Sequence, residues 1–156
     1  MHEYHFFWGG PFSNWCPAKF IYKGYEFANS EQAFMWEKAM CFNDLETADK
    51  ILKEPNPREA KNLGRTVKGY VDTKWDSVRF KFMVDICLQK FAQNDDLLKV
   101  LLANNNFVEA SPEDTIWGIG MREGDVGIED PKNWKGTNLL GEALNQVRKM
   151  LAPDEN

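Results

Sequence analysis

The chain has 156 residues, enough for one ordinary domain that buries its own core without disulfides or metals. A hydrophobic content of 43% excludes disorder along most of its length. The net charge of −5 and pI near 5.1 exclude a broad basic surface for duplex nucleic acid, though not a local anion pocket.

The first 28 residues mix aromatics with turn formers and read as extended and loop-rich. Within them, Lys19–Phe27 (KFIYKGYEF) alternates β-formers around Lys23-Gly24, the signature of a hairpin. The spacing of Asn29 and Gln32 resembles a capping box and predicts a helix from there to about Phe42. A second helix is expected over Asp44–Lys53, stopped by Pro55, and a third opens at Pro57 with PREAKNLGRTV. Asp72–Gln93 is the longest helical segment, with Trp75, Val78, Phe82, Ile86 and Phe91 as its apolar stripe. Asp95–Ala103 follows as a short helix and Phe107–Ala110 as a short strand. Ser111-Pro112-Glu113-Asp114 has the form of a helix start. Trp117–Asp130, with four glycines and five charges, reads as a flexible loop. Thr137 or Asn138 opens the last helix, NLLGEALNQVRKML. These elements add up to an α+β fold, predominantly helical, with a small β-sheet. A single domain is expected over residues 1–152, followed by a frayed tail at 153–156.

The three cysteines, Cys16, Cys41 and Cys87, lack a C-x-x-C spacing and read as reduced thiols of a cytoplasmic protein. The two histidines, His2 and His5, are too few for an ordinary zinc site, so neither a metal nor another cofactor is expected. No signal peptide and no membrane-span-length apolar run is visible.

The polar residues of NSEQAFMWEKAMCF need explaining. Glu31 and Lys38 are about two turns apart and share one helix face. Glu31 reads either as a first-turn acid favoured by the helix dipole or as a catalytic carboxylate. Lys38, amid apolar neighbours, either joins a structural ion pair or is a desolvated amine fit for nucleophilic or proton-transfer work. Asp114 is equally at home as the acid of a capping box. Trp117 beside Gly118 either closes over a ligand or plugs the core. Lys61, Gly64 and Arg65 form either a phosphate site or a solvated basic face. Exposed amides at the start of the last helix, around Asn138, are a further candidate anion site.

Six pieces run in order through the chain: PFSNW, NSEQAFMWEKA, AKNLGR, WDSVR with KFMVDICLQKF, VEASPEDTIWGIG, and NWKGTNLLGEALNQVR. Together they resemble the NADAR/YbiA-like family over roughly residues 6–150. The resemblance implies a mainly helical α+β fold and N-glycosidase chemistry, cleavage of the bond between ribose C1 and a nitrogen. Members of that family act on phosphorylated ribosyl-amino-pyrimidine intermediates of riboflavin synthesis, and others remove ADP-ribose from guanine. It carries functional roles onto Glu31, Lys38, Asp114 and Trp117, and also onto Trp75. The chain departs from the usual pattern at Trp15, where phenylalanine is common, and at Gln32, where histidine is frequent. Both departures bear on substrate identity.

On this footing Glu31 and Asp114 are the carboxylates that face an oxocarbenium-like transition state. Lys38 forms a Schiff base with C1, or else a carboxylate activates water directly. Trp117, Trp36 or Phe12 would stack on base or sugar, and Lys61, Arg65 and the amides near Asn138 would take the phosphate. The expected partner is a small phosphorylated ribosyl or nucleotide substrate. Removal of ADP-ribose from guanine, with ADP-ribosylated nucleic acid as partner, is the alternative reaction. A non-enzymatic ADP-ribose or nucleotide-binding module is the alternative from another class, but it would not require Glu31 and Lys38.

Overall fold

A computed structural model of the chain describes residues 3–153. His2 and residues 154–156 of the expected tail lie outside the described residues. Those described form six α-helices, four short strands and two 3-10 turns. The chain divides into two compact units: Asn14–Asp95, and the segments that precede and follow it.

In the unit Asn14–Asp95, strands β2 (Phe20–Tyr22) and β3 (Tyr25–Phe27) pair antiparallel, Phe20 opposite Phe27. Lys23 and Gly24 between them have φ of 50° and 85°. Positive φ at both central positions is the turn that matches strand twist in a two-residue hairpin. Helix α1 (Ser30–Cys41) follows. Asn29 caps it, its Oδ1 accepting from Gln32 N at 2.8 Å. The Gln32 side chain reaches back one residue further than a capping box would, accepting from Ala28 N at 2.8 Å. Every residue from Ser30 to Glu37 is buried, so the first two turns of α1 are enclosed on all sides, while Lys38 is half-buried and Met40 exposed near its end. Helices α2 (Leu45–Leu52), α3 (Pro57–Gly64) and α4 (Asp72–Ala92) pack around it.

Asp44 ties two of these pieces together. Its Oδ2 accepts from Lys68 N at 2.9 Å and Thr47 Oγ1 at 2.7 Å, and its Oδ1 from Thr47 N at 3.1 Å. The Lys68 bond first, then the two from Thr47, hold its pKa below the ordinary 3.8. A depressed carboxylate adds stability above its unfolded pKa and loses it as pH falls through the folded value. The stability gap between wild type and Asp44→Ala should therefore be full at neutral pH and narrow below about pH 4. Urea denaturation at both pH values checks this, and a gap that persists in acid would sink it.

The other unit pairs β1 (His5–Phe7) with β4 (Phe107–Glu109) in parallel, His5 opposite Phe107. Helix α6 (Leu139–Leu151) packs on β4. Val108, Ala110, Ile119, Met121 and Ile128 form one core, with Tyr4, Phe6 and Trp134 against it. Helix α5 (Asp95–Ala103) is closed by Arg148, whose guanidinium donates to Asn104 O at 2.6 Å and Leu102 O at 2.8 Å. Strand β1 was not expected from the sequence. Three residues carry too little periodicity to announce a strand whose partner lies a hundred positions away.

Candidate functional site

Two of the expected site residues lie together on α1. Glu31, in the first turn, is buried at 8% exposure, and its N–H donates to Asn14 O at 3.0 Å. Lys38, two turns on, is half-buried. Burial first, then the charge of Arg65, lowers the amine's pKa from its ordinary 10.5, while Asp72 and Glu31 pull the other way. Two of these charges come from other helices. Arg65 caps α3, which approaches α1 at Gly64. A Cβ at Gly64 would overlap Met35 Sδ, so glycine lets α3, and Arg65 with it, come this near without displacing the Met35 side chain. Asp72 opens α4. Tyr70, just before it, places its ring 4.7 Å from Lys38 Nζ.

Several neighbours on the same helices belong to the core instead. Trp36 is buried and packs against Tyr25 at 5.4 Å, Phe27 at 5.6 Å and Tyr22 at 6.3 Å, so the hairpin occupies the ring expected to stack on substrate. Trp75 is buried against Phe34 at 5.0 Å and Phe82 at 6.0 Å. Gln32, expected to bear on substrate choice, donates to Ile51 O at 2.9 Å and Leu52 O at 3.2 Å, closing the end of α2. Glu37, a buried acid that the sequence reading passed over, accepts from Tyr22 Oη at 2.8 Å and pairs with Lys23 Nζ at 2.6 Å. It fastens the hairpin to α1, and burial together with this bond raises the Tyr22 phenol above the usual range. Lys61 stays exposed on α3.

Asp114, Trp117, Gly118, Asn138 and Phe12 belong to the other unit. No helix starts at Ser111. Ser111 Oγ accepts from Asp114 N at 3.3 Å as a cap would, but Asp114 Oδ1 then takes Ile116 N at 2.9 Å and Trp117 N at 2.8 Å. The chain turns there because Gly118 is pressed onto backbone. A Cβ on it would lie 2.9 Å from both Asp114 O and Glu109 O. Trp117 is half-buried.

The anion site expected at the start of α6 is filled by protein. Thr137 N donates to Thr115 O at 3.0 Å, and Asn138, Leu139 and Leu140 N donate to Gly118, Ile116 and Trp117 O at 3.1 Å each. Those amides are spent on the 115–118 turn and cannot take a phosphate. The Asn138 side chain is likewise committed, accepting from Glu109 N at 3.0 Å and donating to Phe107 O at 3.0 Å. Asn138 also adopts φ 54°, which asparagine tolerates better than most residues. Asn138→Ala should cost on the order of 2–4 kcal/mol by stranding one buried and one part-buried backbone group, read as a lower urea midpoint. An unchanged midpoint would rule out this role. Phe12 is buried against Phe107 at 4.6 Å and Phe7 at 5.7 Å and packs the core.

The NADAR domain pattern matches residues 6–152. The chain belongs to the NADAR family. It is 40% identical to N-glycosidase R617 of Acanthamoeba polyphaga mimivirus, across 88% of this chain and 85% of that one. It is also 40% identical to protein irg-1 of Caenorhabditis elegans, across 90% of this chain and 74% of that one. The solution structure of Escherichia coli YbiA superposes with a TM-score of 0.76 at 28% identity, covering 94% of this chain and 83% of that chain. The likeness bears out the mainly helical α+β fold read from the sequence, and as a NADAR protein the chain is an enzyme of the N-glycosidase class. No described helix is long and apolar enough to cross a membrane.

Proposed function

We propose that this NADAR protein hydrolyses the C1–N bond of a phosphorylated ribosyl-amino-pyrimidine of the kind made in riboflavin synthesis, using Lys38 as nucleophile and Glu31 as proton carrier. The observation that carries this is the half-buried Lys38 amine, held below its ordinary pKa by burial and Arg65, on the same helix face as the buried Glu31. A purely structural ion pair would raise an amine's pKa. Depression by desolvation and a second cation is how a lysine becomes a nucleophile near neutral pH.

In this reading the ribose ring opens as its C1–O bond breaks, the ring oxygen takes a proton and C1 becomes an iminium of the base nitrogen. Free Lys38 Nζ adds to C1. The base leaves as the free amine, taking the proton that Nζ gives up, and Lys38 is left as an iminium on C1. Water adds to C1, Nζ departs as amine, and the sugar aldehyde closes to its hemiacetal. The sum is substrate plus water giving sugar phosphate plus amine. Glu31 moves the protons between ring oxygen, leaving nitrogen and water. Arg65, exposed beside Lys38, with Lys61 one turn earlier on α3, supplies the cations for the phosphate.

A second reading, release of ADP-ribose from guanine, has one observation in its favour. Trp15 is 40% exposed with the Arg58 guanidinium 5.8 Å from its ring, in a segment that Glu31 N anchors through Asn14. An aromatic ring beside a guanidinium suits a larger ligand with a second base and a diphosphate. Mass spectrometry after incubation with ribosyl-amino-pyrimidine phosphates, ADP-ribosylated guanosine and NAD tests both. Free base and ribose phosphate from the first substrate support the primary reading, and guanosine from the second supports the alternative. No turnover of any, with saturable ADP-ribose binding, would replace both with a binding module.

A further inference from the structure

We propose that Tyr70 is a positioning residue for Lys38, the face of its ring holding the ammonium from one side. The proposal rests on the reading of Lys38 as the nucleophile.

A lysine amine sits on a flexible four-carbon stem, and attack on C1 needs that stem in one conformation. Lys38 is half-buried, and the Tyr70 ring lies 4.7 Å from its Nζ. The ring is itself held. Phe42 packs on it edge to face at 5.3 Å and 67°. Tyr70 is 40% exposed, and partial desolvation with the nearby Asp72 carboxylate pushes its phenol up to about 12, so the hydroxyl stays protonated. The backbone is fixed on both sides. Lys68 N is bonded to Asp44, Gly69 turns with φ 79°, and Val71 leads into α4 at Asp72.

The charged groups that act on Lys38 come from three helices. Glu31 on α1 and Asp72 on α4 favour the ammonium, and Arg65 at the end of α3 opposes it. The aromatic ring adds to the first pair, since its face attracts a cation. The attraction acts on the ammonium of the resting enzyme and on the iminium formed after attack, while the neutral amine between them is confined by the ring through contact alone. Tyr70 therefore stays with Nζ from resting enzyme to covalent intermediate, and its removal acts on the chemical step more than on substrate binding.

The test uses Tyr70→Leu, which keeps apolar bulk but no ring face, and Tyr70→Phe, which keeps the ring but not the hydroxyl. Lys38 is titrated directly by NMR on protein labelled at lysine ε-carbon, its signal assigned by its loss in Lys38→Arg. Tyr70→Leu should lower the Lys38 titration midpoint by about half a pH unit and reduce kcat about tenfold with KM nearly unchanged. Borohydride trapping should slow in parallel. Tyr70→Phe should restore most of the midpoint and of the rate. A Tyr70→Leu enzyme with wild-type midpoint and wild-type kcat, while Lys38→Ala is inactive, overturns this proposal and leaves the lysine route standing. Full turnover in Lys38→Ala overturns the lysine route and Tyr70's part in catalysis with it, whatever the titration shows. The dispersed spectrum of each variant reports that it is folded.

Discussion

Lys38→Ala should lower turnover by on the order of 10³-fold or more, with the helical circular dichroism signal unchanged. The fold has no reason to suffer. Alanine is the best helix former, and the position is already half-exposed. The sign of the pKa shift agrees. An amine whose pKa is lowered on folding disfavours the native state at pH below that folded value, and the cost vanishes above the unfolded 10.5. Removing the amine relieves that cost at neutral pH, so the thermal midpoint should hold or rise. Wild-type kcat should climb with pH through the folded pKa of Lys38, as free amine replaces ammonium. Borohydride added during wild-type turnover should leave the sugar on the peptide containing Lys38. Near-full activity of Lys38→Ala, or no adduct during rapid turnover, would transfer the chemistry to direct attack by water.

Glu31→Gln is expected to have the next largest effect, a loss of about 10²–10⁴-fold in kcat, since the amide can neither take up nor return a proton. It differs from the lysine variant in a second readout. The Glu31 charge raises the Lys38 pKa, so its removal should move the Lys38 titration lower still, leaving more free amine at neutral pH. Lower kcat with a more deprotonated nucleophile separates proton transfer from simple support of the amine. If kcat fell only at the pH where Lys38 titrates, Glu31 would be acting through the amine alone. The neighbouring Glu37 serves as a contrast. Its bonds to Tyr22 and Lys23 make it structural, so Glu37→Gln should lower stability while sparing kcat in the enzyme that remains folded.

The parts of this protein that were legible in the sequence are those whose causes lie within a few residues. Asn29 announced α1 because its side chain bonds an amide three positions on. Lys23-Gly24 announced the hairpin because the turn needs two positive φ angles in succession. The seven-residue spacing of Glu31 and Lys38 placed both on one face of α1, and the ordered motifs named the family. The tertiary structure decided the rest. Ser111–Asp114 has the local chemistry of a helix start, yet Gly118 is drawn against Glu109 and the segment turns. Free amides were expected at the start of α6, but the carbonyls of residues 115–118 occupy them. Trp36 and Phe12, candidates for stacking, are consumed by aromatic neighbours that no spacing rule brings together. Tyr70 and Asp72 stand more than thirty positions from Lys38 and come to it across the packing of α3 on α1 at Gly64 and the Asp44 bond to Lys68 N. Local sequence thus set which hydrogen bonds and faces each element offers. Which of those offers the core takes up, and which remain for a substrate, depends on distant groups that must be satisfied once water is excluded.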